Sequence, residues 1–245
     1  MTIKAVVFDL GNTLVKYDYG LPEEIFQKVL FSLGITRSLF DIKKAFSIAE
    51  KDAEDINLPS LSGKIECEDF WFQWNCLVLK HLQVEENEEI PRTIYSKWMD
   101  FVDCTLYPEV REVLLKLQRR GIKVGLISNA YEEEISLVLE KAKLENATFD
   151  TIVGVDTVQC MKPHPDIFKC ALRKLSVWPE EAMFVGDQLE ADYKGAKKVG
   201  IYALLIDRTG KQKQGNMRTI KNLNEILSQL DQVSSTSHKN RIVLE

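Results

Sequence analysis

Residues 3–14 read IKAVVFDLGNTL, a short apolar run that ends at an aspartate and a Gly/Asn turn. Four further apolar runs of this kind follow, at residues 123–127, 151–155, 182–185 and 202–206. Near-continuous apolarity over so few residues is typical of strands that are covered on both faces, and a buried helix would need a longer run. The sequence therefore predicts five buried strands, the first of them at residues 3–8.

Between these runs the apolar residues recur with a helical period. They fall at positions i, i+3, i+4 and i+7 in three segments, residues 110–117, 135–142 and 168–175. Pro108 and Pro165 precede two of the segments and Gly121 follows one, as expected at helix ends. Strands that alternate with helices imply βαβ crossovers and a parallel sheet. The predicted fold class is therefore α/β, with a doubly wound, Rossmann-like parallel-sheet core.

Residues 16–104 do not follow this alternation. Their apolar spacing predicts four helices, near residues 26–33, 42–49, 71–78 and 94–101, with a loop at 57–63 and no convincing strand. We expect an all-helical insert at 16–104 and a core made of 1–15 and 105–233. Three tryptophans in the insert have helical spacing, which favours a packing role over a substrate pocket: Trp71, Trp74 and Trp98. Residues 234–245 lack periodicity, which predicts a flexible tail.

Composition and charge limit the functional classes. The formal net charge is −5, which argues against a nucleic-acid partner because such partners usually require a basic face. No apolar run approaches the roughly 20 residues that span a bilayer, and the N-terminal run ends at Asp9 without a cleavage site, so we expect neither a membrane segment nor a signal peptide. Five cysteines without zinc-like spacing indicate reduced thiols and a cytoplasmic location. Monomer and homodimer are equally compatible with the sequence.

Polar residues directly follow four of the predicted strands or lie near their ends. They are Asp9, Ser128-Asn129, Lys162-Pro163 and the segment from Gly186 through Asp187 to Asp192. Each has an ordinary structural explanation when taken alone, as a turn residue, a helix cap or a solvated charge. Ligands bind to doubly wound sheets at the carboxyl ends of the strands, however, and all four groups belong to that one edge. Their joint occurrence predicts an active site.

The same four segments resemble the sequence motifs of the haloacid dehalogenase superfamily of hydrolases. Residues 8–14 are similar to the first motif, 126–129 to the second, Lys162-Pro163 to the third, and 186–192 has the GDxxxxD form of the fourth. The resemblance covers essentially the whole predicted core. It also implies that the helical insert is a C1-type cap, with hinges at 15–21 and 103–107, which closes over the site and selects the leaving group.

The resemblance implies a phosphatase site. A phosphate monoester needs a nucleophile and cations that offset its charge. Asp9 would attack phosphorus to form an aspartyl-phosphate, Lys162 would place a positive charge beside it, and Ser128, Asn129 and Lys162 would bind the phosphoryl oxygens. Mg²⁺ prefers oxygen ligands, and those implied here are Asp9, the Gly11 backbone carbonyl, Asp187 and Asp192. The predicted reaction is Mg²⁺-dependent hydrolysis of a small phosphorylated metabolite.

One position departs from the family pattern. Phosphatases of this family usually carry a second aspartate two residues after the nucleophile as general acid/base, a role worth about 10²–10⁴-fold in rate. This chain has Gly11 there, and Asp18 is a candidate substitute. Two alternatives therefore stay open: a 2-haloacid dehalogenase, which needs no magnesium, and a non-catalytic relative that binds a phosphorylated ligand or a protein. Retention of Asp187 and Asp192 favours the phosphatase.

Overall fold

The chain folds into two compact units. The computed structural model describes residues 2–17, 21–85, 87–210 and 217–242. The core unit comprises Met1–Lys16 and Thr105–Glu245, and the helical unit comprises Tyr17–Cys104, one residue different from the predicted insert at 16–104. The unit boundaries fall within two short paired strands, β2 (Val15–Tyr17) and β3 (Cys104–Leu106). Three residues are too few to show alternation, so the sequence pattern did not predict these strands.

The core unit is built on a parallel sheet, as the sequence predicted. The strands of the chain are β1 (Ala5–Phe8), β2 (Val15–Tyr17), β3 (Cys104–Leu106), β4 (Lys123–Ile127), β5 (Thr151–Val153), β6 (Ala182–Gly186), β7 (Tyr202–Ile206) and β8 (Thr219–Ile220). Six of them form one sheet in the order β5-β4-β1-β6-β7-β8, with every pair parallel. The strand order reverses at β1, which lies between β4 and β6. The carboxyl ends of these strands are therefore at the topological switch point, where ligands bind in such sheets.

Both faces of the sheet are buried. Val7 and Phe184 pack with Phe168 and Leu175 in one cluster, whereas Val6 and Leu126, on the opposite face, are also fully buried. Because successive side chains of a strand point to opposite faces, this two-sided burial explains the continuous apolar runs in the sequence.

The helices are α1 (Pro22–Ser32), α2 (Leu39–Asp55), α3 (Cys67–His81), α4 (Glu89–Trp98), α5 (Val110–Arg119), α6 (Glu132–Lys141), α7 (Val155–Val158), α8 (Pro165–Leu175), α9 (Gly195–Lys198) and α10 (Glu225–Ile242). All three core segments with a helical period are helices, α5, α6 and α8. The predicted strand at 151–155 ends earlier, at Val153, because the backbone turns at Gly154 into the short α7. No helix among the described residues is long and apolar enough to cross a membrane.

The helical unit contains the four predicted helices, α1 to α4. Neighbouring helices pack against each other, and α1 also packs against α4. An aromatic chain runs through the unit: Phe26 meets Phe46 edge-on at 5.3 Å between ring centroids, and Phe46 meets Trp74 at 5.7 Å. Trp74 therefore packs among the aromatic residues of the unit. The predicted loop at 57–63 contains a short 3₁₀ helix, Leu58–Leu61.

The expected flexibility of residues 234–245 stays a prediction, but the structure gives part of this segment a regular backbone. The backbone continues in α10 to Ile242, and residues 243–245 lie outside the described residues. Residues 234–242 contain neither proline nor glycine, so nothing in them breaks a helix. Periodicity missed this part of the helix because it detects only a regular apolar face.

Candidate active site

Three adjacent strands bring the first polar groups together. Asp9 directly follows β1, Ser128 and Asn129 follow β4, and Asp187 follows β6. In the sheet register Phe8 lies opposite Leu126 on one side and Val185 on the other, so the three strands end at nearly the same level. Asp9 is thereby held in the middle of the site, and its backbone N–H donates to the Val185 carbonyl at 2.9 Å.

Lys162 lies at the centre of the charged network. Its Nζ donates to Oδ1 of Asp9 at 2.6 Å, to Oδ1 of Asp192 at 2.7 Å and to the carbonyl of Ile127 at 3.2 Å. The Lys162 side chain is only 2% exposed, so these ion pairs are shielded from water. A lysine ammonium has three protons, and all three are used here. The lysine is therefore fixed in place, with one oxygen of Asp9 held against it.

Asn129 holds the loop that carries Lys162. Its Oδ1 accepts the Lys162 backbone N–H at 2.7 Å and its Nδ2 donates to the Lys162 carbonyl at 3.1 Å. The sequence predicted Asn129 as a substrate-binding residue, and that role stays a prediction. The paired contacts instead link the end of β4 to both backbone polar groups of Lys162. Spacing along the chain could not reveal this link.

Asp192 is completely buried next to Gly186. Its Oδ1 accepts from Lys162 and its Oδ2 from the backbone N–H of Gln188 at 2.9 Å. A Cβ added at Gly186 would lie 2.4 Å from the Asp192 carboxyl carbon, closer than atoms can approach. The glycine is needed so that the π-helical turn Leu189–Lys194 can fold back against the end of β6.

The donor set fits a hard divalent cation. Ligand oxygens of Asp9, Asp187 and Asp192 lie within 4.8 Å of one another. With Lys162 they leave an excess of two negative charges in a mostly buried space, and all three donors are carboxylate oxygens, which Mg²⁺ favours. Asp187 is less buried than Asp9 and Asp192. Asp192 already accepts two hydrogen bonds, so Asp9 and Asp187 are the carboxylates best suited to direct contact with a cation.

The pKa values of the site reflect this excess of negative charge. The pKa of Asp187 is raised to about 7, mainly by burial and also by the charges of Asp9 and Asp192, against the opposing effect of Lys162. The pKa of Asp9 is likewise raised to about 6, because burial and the charge of Asp192 together outweigh the lowering effect of Lys162. Burial lowers the pKa of Lys162, but the charges of Asp9 and Asp192 outweigh burial and raise it. The site is thus short of positive charge, the condition that a bound cation would relieve.

The remaining predicted residues have simpler surroundings. Ser128 is buried and its backbone N–H donates to the Val153 carbonyl at 3.1 Å. Gly11 forms a backbone bridge with Val15, and the use of its carbonyl as a metal ligand stays a prediction. Asp18, the suggested substitute acid, lies outside the described residues.

The sequence reasoning missed Arg208. It follows β7, and its guanidinium donates to the carbonyls of Asn12 and Thr13 in the loop after Asp9. The rule that identified the other groups, a polar residue directly after a buried strand, could have found it in the segment Asp207-Arg208-Thr209.

Comparison with known proteins gives consistent results. Residues 3–200 match the family model of the haloacid dehalogenase-like hydrolases. Phosphonoacetaldehyde hydrolase from Bacillus cereus (strain G9842) is 28% identical over 209 residues, 83% of this chain and 75% of the relative. Phosphoglycolate phosphatase from Shigella boydii serotype 4 is 27% identical over 212 residues, 81% of this chain and 79% of the relative.

A solved structure supports the same fold. The 2-haloacid dehalogenase from Pseudomonas syringae superposes with a TM-score of 0.71 at 19% identity, over 94% of this chain and 99% of that one. At this identity the likeness concerns the fold alone. The family match, which covers most of the chain and all four motifs, shows more: this protein belongs to the haloacid dehalogenase-like hydrolases.

Proposed function

We propose that this hydrolase is a Mg²⁺-dependent phosphatase of small phosphate monoesters that works through an aspartyl-phosphate on Asp9. The observation that carries the proposal is the buried Lys162 bound to both Asp9 and Asp192, beside the carboxylate of Asp187. A carboxylate nucleophile fixed by a lysine and surrounded by oxygen donors suits phosphoryl transfer, which depends mainly on positioning and on charge stabilisation.

The proposed first step uses the second oxygen of Asp9. Oδ1 is held by Lys162, so Oδ2 attacks phosphorus while the bond from phosphorus to the alcohol oxygen of the substrate breaks. The departing alkoxide takes a proton from solvent water, because Gly11 has no acidic side chain to donate one, and Asp9 carries the phosphoryl group. Water then attacks the same phosphorus, the bond to Asp9 breaks, and inorganic phosphate leaves with the carboxylate restored.

The surrounding residues support both steps. Lys162 offsets charge on Asp9 and on the phosphoryl oxygens. Asn129 holds the backbone of the loop that carries Lys162. Ser128 is assigned to the phosphoryl oxygens. A Mg²⁺ ion held by Asp9 and Asp187, with Asp192 and the Gly11 carbonyl as further candidates, would supply charge neutralisation for the incoming phosphate. We assign to the helical unit the role of a cap that selects the leaving group.

The names of the curated relatives suggest small anionic substrates. One relative is a phosphonoacetaldehyde hydrolase and another a phosphoglycolate phosphatase. Both names describe two-carbon compounds with a phosphorus-containing group. The first substrate panel should therefore contain phosphoglycolate, phosphonoacetaldehyde and short sugar phosphates.

The test is Mg²⁺-dependent hydrolysis of p-nitrophenyl phosphate by the wild type and by Asp9→Asn, with a chelator as control. This ester has a good leaving group, so it depends little on a general acid and is a fair substrate for a protein with Gly11. Asp231→Asn is the matched control, because Asp231 lies on the surface of the core unit and pairs with Arg120. We expect activity that is lost with Asp9→Asn and with chelator, and is kept with Asp231→Asn.

Two other results would reject the proposal. Chloride release from a 2-haloacid that persists in chelator would indicate a dehalogenase. A Mg²⁺-dependent thermal shift with phosphorylated ligands, without turnover that depends on Asp9, would indicate a binding protein.

A further inference from the structure

The loop after Asp9 is held by a side chain outside the four motifs. We call residues 10–14 the nucleophile loop. It is closed by its own backbone bonds, from the N–H groups of Leu14 and Val15 to the Leu10 carbonyl at 2.9 and 3.0 Å. Asn12 adopts a left-handed conformation with φ of 54°. Such a tight, partly strained turn needs external contacts to keep one conformation.

Arg208 supplies two of these contacts. Its Nη2 donates to the Thr13 carbonyl at 2.6 Å and its Nε to the Asn12 carbonyl at 3.2 Å. The two acceptors belong to successive peptide units, so one planar guanidinium orients both of them. A lysine has a single ammonium group and cannot reproduce this fork.

The guanidinium is itself fixed from two other directions. Its Cζ lies 3.3 Å from the centre of the Tyr107 ring, and its Nη1 donates to Glu109 Oε1 at 2.8 Å. Glu109 also accepts the Leu223 backbone N–H at 3.3 Å. The side chains of Arg208 and Glu109 are only 13% and 12% exposed, so their ion pair is partly shielded from solvent. Tyr107 adds a direct bond from its backbone N–H to the Leu14 carbonyl at 3.1 Å.

We infer that Arg208, held by Tyr107 and Glu109, is a positioning residue that sets the conformation of the nucleophile loop and thereby the direction of the Asp9 carboxylate. This inference rests on the proposed function of Asp9 for its effect on catalysis. The ion pair alone would stabilise the fold from any surface position. What points to positioning is that the remaining guanidinium donors end on the loop that directly follows the nucleophile.

The experiment compares Arg208→Ala, Arg208→Lys and Glu109→Gln with Arg120→Ala as the matched control. Arg120 lies in the same unit and forms an ion pair with Asp231 on the surface. Four quantities are measured: kcat and KM for p-nitrophenyl phosphate with Mg²⁺, the melting temperature, and hydrogen exchange of the amides of residues 10–15.

A displaced nucleophile costs about 10²-fold in rate when the error is about 1 Å. We expect kcat of Arg208→Ala to fall by about 10–100-fold, with a smaller change in KM and faster exchange in residues 10–15. Arg208→Lys should lose most of the same activity although it keeps the charge, and Glu109→Gln should lose less because its amide oxygen still accepts. Added guanidinium ion should restore part of the activity of Arg208→Ala. Arg120→Ala should match the wild type.

Exchange of residues 10–15 separates this inference from the proposed function. If the wild type has no phosphatase activity, faster exchange of residues 10–15 in Arg208→Ala still supports the role of Arg208 in ordering the nucleophile loop. Only the proposed function then fails. Unchanged exchange in folded Arg208→Ala overturns the inference whatever the activity. A kcat within twofold of the wild type in both Arg208 variants also overturns it.

Discussion

At the scale of single residues, Asp187 is both a candidate ligand for a cation and a buried charge with an electrostatic cost, and both properties follow from its surroundings. Its carboxylate lies close to those of Asp9 and Asp192, and burial together with these charges raises its pKa to about 7. Loss of this charge therefore stabilises the folded protein when no cation is bound, whereas the proposed cation site requires the charge.

Asp187→Asn is expected to raise the melting temperature at pH 8 in chelator, because it removes a poorly compensated buried charge. The same change should abolish most of the stabilisation that Mg²⁺ gives to the wild type. Differential scanning fluorimetry with and without Mg²⁺ measures both effects. Asp231→Asn, on the surface, serves as control and should show neither. A wild-type Mg²⁺ shift retained in Asp187→Asn would contradict the assignment of Asp187 to the cation.

Gly11 allows a gain-of-function test at the position of the missing acid. Gly11 is not among the described glycines with positive φ, so the backbone can accept an L side chain there. We expect Gly11→Asp to raise kcat for a poor leaving group such as an alkyl phosphate by up to about 10²-fold, and to change p-nitrophenyl phosphate hydrolysis much less. Gly11→Asn is the isosteric control. Equal effects of both substitutions on both substrates would show that the added side chain does not act as an acid.

At the scale of structural elements, contacts from two side chains determine the position of Lys162. Asn129 joins the end of β4 to the loop that carries Lys162. Asp192, in the π-helical turn after β6, accepts a hydrogen bond from the Lys162 ammonium. The Asn129 amide contacts the Lys162 backbone through both its oxygen and its nitrogen. Asp192 fits in its position only because Gly186 has no side chain.

Asn129→Ala should lower kcat by about 10-fold or more, since it frees the peptide unit of Lys162 without removing the lysine. Steady-state kinetics measure the effect, and unfolding curves show whether the fold is kept. Asn146→Ala is the control, because the amide nitrogen of Asn146 donates to the Ser136 hydroxyl in an exposed contact. An unchanged kcat, with KM raised instead, would favour the predicted contact between Asn129 and substrate.

Gly186→Ala should destabilise the core unit by about 1–3 kcal/mol, the usual cost of forcing an extra methyl group into a packed site. The added Cβ would lie 2.4 Å from the Asp192 carboxyl group, which is fully buried and has little room to move. Urea unfolding measures the loss. A stability equal to that of the wild type would mean that Asp192 can leave its position, and its bond to Lys162, at little cost.

At the scale of the whole molecule, the raised pKa values of Asp9 and Asp187 link stability to pH. In the unfolded chain these groups lose their protons near pH 3.8, whereas the folded protein keeps them until about pH 6 and 7. Between these limits the folded state binds more protons, so its stability falls as pH rises. Glu109 acts in the opposite direction at the acid end of this window and below it, where stability rises with pH. Burial raises its pKa, but the hydrogen bonds and charge of Arg208 and backbone N–H donors outweigh burial and lower it.

We therefore expect the contribution of Asp9 and Asp187 in chelator to lower the melting temperature as pH rises from about 4 to 7, and then to level off. With Mg²⁺ the decline should be smaller, because the cation favours the ionised carboxylates. Melting curves of the wild type and of the Asp9→Asn/Asp187→Asn double variant over this range give the contribution by difference. A difference between the two proteins that does not change with pH would contradict the raised pKa values.

The amino-acid sequence by itself determined the layers of this protein and was enough to predict the residues of its candidate site. Five apolar runs became the central strands because a sheet buried on both faces requires continuous apolarity. Asp9, Ser128, Lys162 and Asp187 were identified because the carboxyl ends of parallel strands share one edge. Both inferences use local pattern and topology, which a sequence displays directly.

Only the tertiary structure decided which of these groups touch and what supports them. Lys162 forms its two ion pairs, and its hydrogen bonds with Asn129, with residues that are far apart from it in the chain. Asp192 fits against Gly186 through a turn of unusual geometry. Arg208 reaches the loop after Asp9 across almost the whole length of the core sequence. No periodicity encodes such contacts, because they depend on how the ends of separate strands and loops meet in space.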